Sequence, residues 1–312
     1  MRRTIVISLL SLVSFLAQAQ EKIYFSPQWT AQAQFAGYYV AKEKGFYMKA
    51  GLDVEIEHPS VTQTAISRIR SNEIQVTTLP LCQAMEIIDD GIPLVNILQT
   101  SMNNAMVIVS RWGKYPIRQI GEKVGIWNAG FGQIAICMSL RDKLDYHWVP
   151  FANNVNLFLS GAIDATLAMS YNEYYQLLQA GIELDKNSVY RFCDHGYNIQ
   201  DDGVYMTLEY YNGHKEIAQQ FAEASRRGWE WAAENPDEAL DIVMDYIQKE
   251  HISTNRVLQK LMLEEILKLQ IDRESGEREF RLRPDMVEQA SELMVESGML
   301  DHAVNYEDIV PE

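Results

Sequence analysis

Alternation constrains this chain more than any other feature. Short β-type apolar runs and helical stretches follow one another through the first two-thirds of the sequence, closed by glycines and prolines. Residues 23–25 and 52–57 read as strands, with a helix over 34–50 between them. A helix over 61–70, a strand over 74–78, a helix over 81–90 and a strand over 94–99 continue the pattern, with Gly51, Gly91 and Pro93 as stops. Such units predict an α/β protein with a mainly parallel sheet covered on both faces. The apolar run 105–110 passes into polar residues 111–118, and the pattern then restarts. Strands are expected over 124–127, 148–151, 163–169 and 189–192, and helices over 133–144, 155–160 and 171–180. A further β-type run, 204–208 (VYMTL), reads as a return, and everything after residue 212 is helical, with Pro236 and Pro284 near helix starts. Two crossings and a helical return describe two lobes on a hinge: residues 20–108 and 204–312 in one, 109–203 in the other.

Each lobe carries a strand-to-helix turn with unusual chemistry. Residues 26–40 hold Gln28, Trp29, Gln32, Gln34, Phe35, Tyr38 and Tyr39, but no Arg, Lys, Asp or Glu. Open α/β sheets gather ligands beyond strand ends and at helix N-termini. An amide-and-aromatic turn at such a place suits a flat, largely uncharged ligand. Trp29 is the first candidate for stacking on a ring, and Tyr38 is a second aromatic candidate; Phe35 and Tyr39 have the spacing of core residues. Gln32 and Gln34 each offer one acceptor and two donors. Gln83, after the third strand, falls at the same edge.

The matching turn, 127–132 (WNAGFG), offers Trp127, Asn128 and Gly130, the glycine letting backbone N–H groups approach a ligand. No Lys or Arg lies between Gly125 and Leu140, and the spacing is neither a P-loop nor GxGxxG, which disfavours a phosphate. Tyr171, Asn172 and Glu173 end a strand and open a helix. Glu173 there is either a dipole partner or an acceptor of charge-assisted bonds from the ligand. Asp202, beside the return, completes the set.

The N-terminus predicts export. Arg2 and Arg3, the apolar run 5–16 and Ala17-Gln18-Ala19 have the order of a secretory leader cleaved near Ala19, and the run is short for a bilayer span. The net charge is −16, and loss of Arg2 and Arg3 with the leader makes it −18. That acidity argues against nucleic acid and anionic membranes as partners. Cys82, Cys137 and Cys193 have no metal-ligand spacing and read as small buried side chains, with one bridge possible.

Residues 37–56 (GYYVAKEKGFYMKAGLDVEI) resemble the N-terminal signature of periplasmic substrate-binding proteins of ABC importers. The form QWTAQAQFAGYYVAKEKGFY, over 28–47, is most similar to the thiamine-pyrimidine-precursor branch, which includes the fungal thiamine pyrimidine synthase. GIPLVNILQ, EKVGIWNAGFG, GAIDATLAMSYNEYYQL and DDGVYMTLEYY echo it later, so the resemblance spans most of 22–211. It implies a two-lobed, type II-like binding protein with its ligand in the interlobe cleft. It also implies a monomeric periplasmic carrier of a pyrimidine-like molecule, such as formylaminopyrimidine or hydroxymethylpyrimidine, with an ABC permease in the inner membrane as partner. Riboflavin, a sulfonate or nitrate stays open as ligand. A pyridoxal-dependent synthase is the competing class, but its lysine and histidine positions fall at Leu79 and Gln83. Cys193-Asp194-His195 lacks that branch's CCCFC pattern and reads as loop. No enzyme, cofactor or metal is expected.

Overall fold

Two five-stranded sheets carry the chain, and the computed structural model describes residues 21–60, 62–111, 120–128, 130–152 and 154–310. The expected leader, and all of segment 111–118 but its first residue, lie outside them. The first lobe opens with β1 (Glu21–Ser26), a 3-10 turn (Ala33–Phe35), α1 (Ala36–Glu43), α2 (Phe46–Lys49) and β2 (Leu52–Ile56). It continues through α3 (Ala65–Arg70), β3 (Val76–Pro80), α4 (Leu81–Asp89) and β4 (Leu94–Gln99). The second lobe runs β5 (Met106–Ser110), β6 (Lys123–Trp127), α5 (Gln133–Arg141), β7 (His147–Phe151), α6 (Asn156–Leu159), β8 (Ala165–Met169), α7 (Glu173–Gln179) and β9 (Val189–Arg191). β10 (Asp202–Thr207) returns to the first sheet. After it come α8 (Leu208–Gly213), α9 (Lys215–Glu234), α10 (Pro236–Lys249), α11 (Arg256–Leu269), α12 (Pro284–Glu296) and α13 (Tyr306–Ile309).

Strand order is β2-β1-β3-β10-β4 in the first sheet and β7-β6-β8-β5-β9 in the second. β1 is parallel to β2 and β3, and β6 to β7 and β8. The crossing strands β10 and β5 run antiparallel to their neighbours, because each enters its sheet from the opposite lobe. Both sheets are therefore mixed.

Several boundaries differ from the sequence reading. The helix expected over 34–50 is broken into three pieces, with Gly45 left-handed at φ +69° between α1 and α2. The helix expected from residue 61 starts at Ala65, where the Thr64 hydroxyl accepts from the Ser67 N–H. The change of sheet occurs at residues 100–105 and 198–201, a few residues before the expected boundaries at 108 and 203. The apolar strands belong wholly to the sheets they enter, and the polar residues ahead of them make the crossings. α12 packs against both α4 and α5, so the helical return reaches both lobes. None of the three cysteines is paired; Cys82 and Cys137 are buried, and Cys193 is only half-buried.

The turn after β1 is held from behind by α1 against α9. Two glycines make this contact close: a Cβ on Gly228 would stand 2.0 Å from the Gly37 carbonyl oxygen, and one on Gly37 2.2 Å from the Trp229 ring. Trp229 is fully buried there, as a packing anchor, edge-on to Tyr38.

The crossings are tied together by amides and one carboxylate. Asn104 N donates to Asn198 Oδ1 (2.9 Å), and Asn104 Nδ2 to the Ile199 carbonyl (3.0 Å) and Asp201 Oδ1 (3.2 Å). Ala105 N donates to Asp201 Oδ2 (2.8 Å). Burial pushes the Asp201 carboxyl up to about 8, against the pull of the Ala105 N–H and with the charge of Asp202 adding to the rise.

Two outcomes follow for stability. Gly228→Ala should lose about 1–3 kcal/mol or more through overpacking against the α1 backbone, read as a lowered urea midpoint. Asp201 in an unfolded chain titrates near ~3.9, so between about pH 4 and 8 the folded protein holds a proton that the unfolded chain has released. Stability contributed by this group therefore falls as pH rises through that window. Melting temperature should climb from about pH 8.5 to about pH 6.5, and Asp201→Asn should flatten the climb; parallel profiles would exclude this role.

Candidate functional site

Strand ends from both sheets converge on one cavity between the lobes. Gln28, Trp29, Gln32 and Gln34 reach it from the turn after β1, Pro80 from the end of β3 and Asp202 from the start of β10. The second lobe supplies Trp127 from β6, Phe131 from the following turn, Met169 from β8, and Tyr171, Asn172 and Glu173 at the start of α7. The cavity holds about 40 Å³, room for about three waters. Trp29 meets Phe131 edge-on from lobe to lobe, ring centroids 5.6 Å apart and planes at 72°. Gln83 Nε2 donates to the Gly130 carbonyl at 3.2 Å, a second tie between lobes. The lobes are closed on each other.

A chain of side-chain amides ends on Asp202. Gln32 Nε2 donates to Gln34 Oε1 (2.6 Å), and Gln34 Nε2 donates to Asp202 Oδ2 (2.6 Å). Gln28 Nε2 donates to Asp202 Oδ1 (2.7 Å). Burial raises the Asp202 carboxyl to about 6, with the two glutamines opposing the rise. At neutral pH it is ionised, and both bonds are charge-assisted. The turn itself is clamped by His58, which donates through Nδ1 to the Trp29 carbonyl at 2.6 Å. His58 Nε2 then accepts from the Tyr39 hydroxyl at 2.8 Å. Burial lowers His58 to about 4, so the ring is neutral and this tautomer follows from the carbonyl it faces.

Glu173 stands on the opposite wall. It is buried, and burial raises its carboxyl. Its Oε1 accepts from Trp127 Nε1 (3.1 Å) and its Oε2 from the Met169 N–H (3.0 Å). The carboxylate first fixes the Trp127 ring, so its role in the structure is positioning, with lone pairs remaining for a ligand.

The structure brings Trp29, Gln32, Gln34, Trp127, Tyr171, Asn172, Glu173 and Asp202 together around the cavity. Four other candidates lie elsewhere. Tyr38 is 1% exposed and packs edge-on to Phe25 and Trp229 in the first-lobe core, because it sits on the inner face of α1. Gln83 lies in the first turn of α4 and is used in the tie to Gly130. Asn128 is exposed, its N–H held by the Phe151 carbonyl, and Gly130 is exposed with its carbonyl taken by Gln83 and Gln133. Gln28, Pro80, Phe131 and Met169 line the cavity without having been candidates. Gln28 and Phe131 were legible as members of the two turns; Pro80 and Met169 had only their strand-end positions as a signal. Among the described residues no cationic side chain lines the cavity, and no three His, Cys, Asp or Glu converge on a metal-sized site.

The family model described as NMT1/THI5 like matches residues 32–239. The chain is 24% identical over 258 residues to the formylaminopyrimidine-binding protein of Halalkalibacterium halodurans, covering 77% of this chain and 78% of that one. It is 22% identical over 262 residues to the riboflavin-binding protein RibY of Chloroflexus aurantiacus, covering 79% and 72%. Among solved structures, a protein of Bordetella bronchiseptica RB50 superposes with a TM-score of 0.67 at 17% identity, covering 94% of this chain and 91% of that one. The periplasmic aliphatic sulphonate binding protein SsuA of Escherichia coli gives 0.65 at 12% identity, covering 93% and 97%. At such identities the solved structures speak for the fold alone. The chain has the two-lobed α/β periplasmic-binding-protein fold used by ABC importers, and it belongs to the NMT1/THI5-like family.

Proposed function

We propose that this chain is the extracytoplasmic solute-binding component of an ABC importer, and that its cleft captures a thiamine pyrimidine precursor of the formylaminopyrimidine or hydroxymethylpyrimidine type. One observation carries the reading: the cavity is walled by Trp29, Trp127, Phe131 and Tyr171, three glutamines and two carboxylates, with no cation among the described residues. Rings of that kind stack on a flat heterocycle, each pair adding about 0.5–1.5 kcal/mol beyond burial. The amides and carboxylates supply the hydrogen-bonding edge. A sulfonate or nitrate would meet Asp202 and Glu173 with no positive charge to offset them, which disfavours an anion. The formylaminopyrimidine-binding relative supports the pyrimidine, and the riboflavin-binding relative supports a ring ligand more generally.

Binding, rather than synthesis, fits the residues at the synthase positions. Leu79 is fully buried in the core and Gln83 ties the lobes, so neither offers the amine or imidazole that a pyridoxal reaction needs. The leader-like order of residues 1–19 supports an extracytoplasmic location, from which the chain would deliver its ligand to a membrane permease. Closure of the two lobes around ligand is then the signal that the permease reads.

A thermal-shift screen of the mature protein tests the ligand. An aminopyrimidine at 100 times its dissociation constant should stabilise by about 2.7 kcal/mol, whereas nitrate and taurine should leave the melting temperature unchanged. A shift with riboflavin and none with any aminopyrimidine would replace this reading with the flavin one. Trp29→Ala should weaken the aminopyrimidine about tenfold or more by calorimetry, with an unaltered circular dichroism spectrum. Unchanged affinity would remove Trp29 from the site.

A further inference from the structure

We infer that Gln28 selects the edge of the ligand that the cleft accepts: its carbonyl oxygen takes a hydrogen bond from an N–H of the bound molecule, and Asp202 keeps the amide turned that way. The inference rests on the pyrimidine reading above and deepens it by naming the donor edge of the ligand.

A glutamine amide can present either its oxygen or its NH₂, and half a turn about the last bond exchanges them. Here the turn is blocked. Asp202 accepts from Gln28 Nε2 at 2.7 Å and from Gln34 Nε2 at 2.6 Å. A carboxylate is an acceptor only, so a reversed Gln28 would set oxygen against oxygen and lose a charge-assisted bond. Gln34 cannot reverse to compensate, because its Oε1 already accepts from Gln32. Asp202 is held in its turn by its main chain, whose carbonyl accepts from the Thr100 and Ser101 N–H groups. The amide of Gln28 is thus fixed with its nitrogen away from the ligand.

Gln28 lines the cavity, is only 8% exposed, and its Oε1 has no hydrogen-bond partner among the described residues. Buried acceptors are nearly always paired in folded proteins, and an orphan asks for an explanation. Both oxygens of Glu173 across the cleft already accept from Trp127 and Met169. Those oxygens keep further lone pairs, whereas Gln28 Oε1 holds no bond at all among the described residues, and an exocyclic amino group is the donor that suits it. Nitrate or a sulfonate would turn oxygen toward oxygen at this point.

The test compares 4-amino-5-hydroxymethyl-2-methylpyrimidine with the analogue carrying a methyl in place of the amino group, which keeps size and removes the donor. Calorimetry on the wild type at neutral pH should show a preference for the amino compound of about tenfold or more, the worth of one hydrogen bond to a buried acceptor. Gln28→Met should bring the ratio close to one. Asp202→Asn should lower it too, because the amide of Gln28 loses its lock, and this variant decides if Gln28→Met fails to fold. An undiminished ratio in a folded Gln28→Met protein, including equal losses for both ligands, overturns the inference and leaves the pyrimidine reading standing. A wild type that binds neither compound overturns both.

Discussion

The site depends on one buried carboxylate. Asp202 stands at the start of β10, where the chain has just re-entered the first sheet, and it accepts from two glutamines of the turn after β1. Residues 28 and 202 are distant in sequence, so the bond closes a very long loop. Burial resists the charge and lifts the carboxyl to about 6, and the two amides are what keep it ionised at neutral pH. Removing either amide would leave an under-solvated charge in the cleft wall. The turn after β1 and the return strand are therefore one unit.

The hinge repeats this arrangement one residue earlier. Asp201 faces away from the cavity's amide chain and holds Asn104 and the Ala105 N–H on the first crossing. Two adjacent carboxyls thus serve two tasks, one in the cleft and one between the crossings. Burial raises both carboxyls, the charge of Asp202 adds to the rise at Asp201, and Asp201 rises further.

Much of the cavity lining was readable because its residues gather where periodic segments stop. Trp29, Gln32 and Gln34 stood out as an uncharged polar-aromatic turn between a strand and a helix, and Trp127 and Tyr171–Glu173 as its counterparts. Tyr38 was misplaced for a reason sequence does not carry: the turn of α1 relative to α9 is set by the Gly37–Gly228 contact, which rotates Tyr38 into the core. Gln83 and Gly130 have the right position but are used on each other. Gln28 was visible in the turn, yet its importance comes from an oxygen without a partner, which only a three-dimensional hydrogen-bond count exposes. The crossings were displaced by a few residues because apolar strand and polar connector were read as a single passage.

The amino-acid sequence alone determined the α/β class, the restart of the strand–helix pattern, the helical return and the uncharged character of both turns. These are local properties: periodicity of two or of 3.6 residues, and the side chains that punctuate it. Only the tertiary structure decided which turn residues face the cleft, that α12 packs against α4 and α5 together, and that Gln28 presents its oxygen. Those facts depend on pairings across many tens to nearly two hundred residues, and no local pattern records which distant carboxylate an amide will meet.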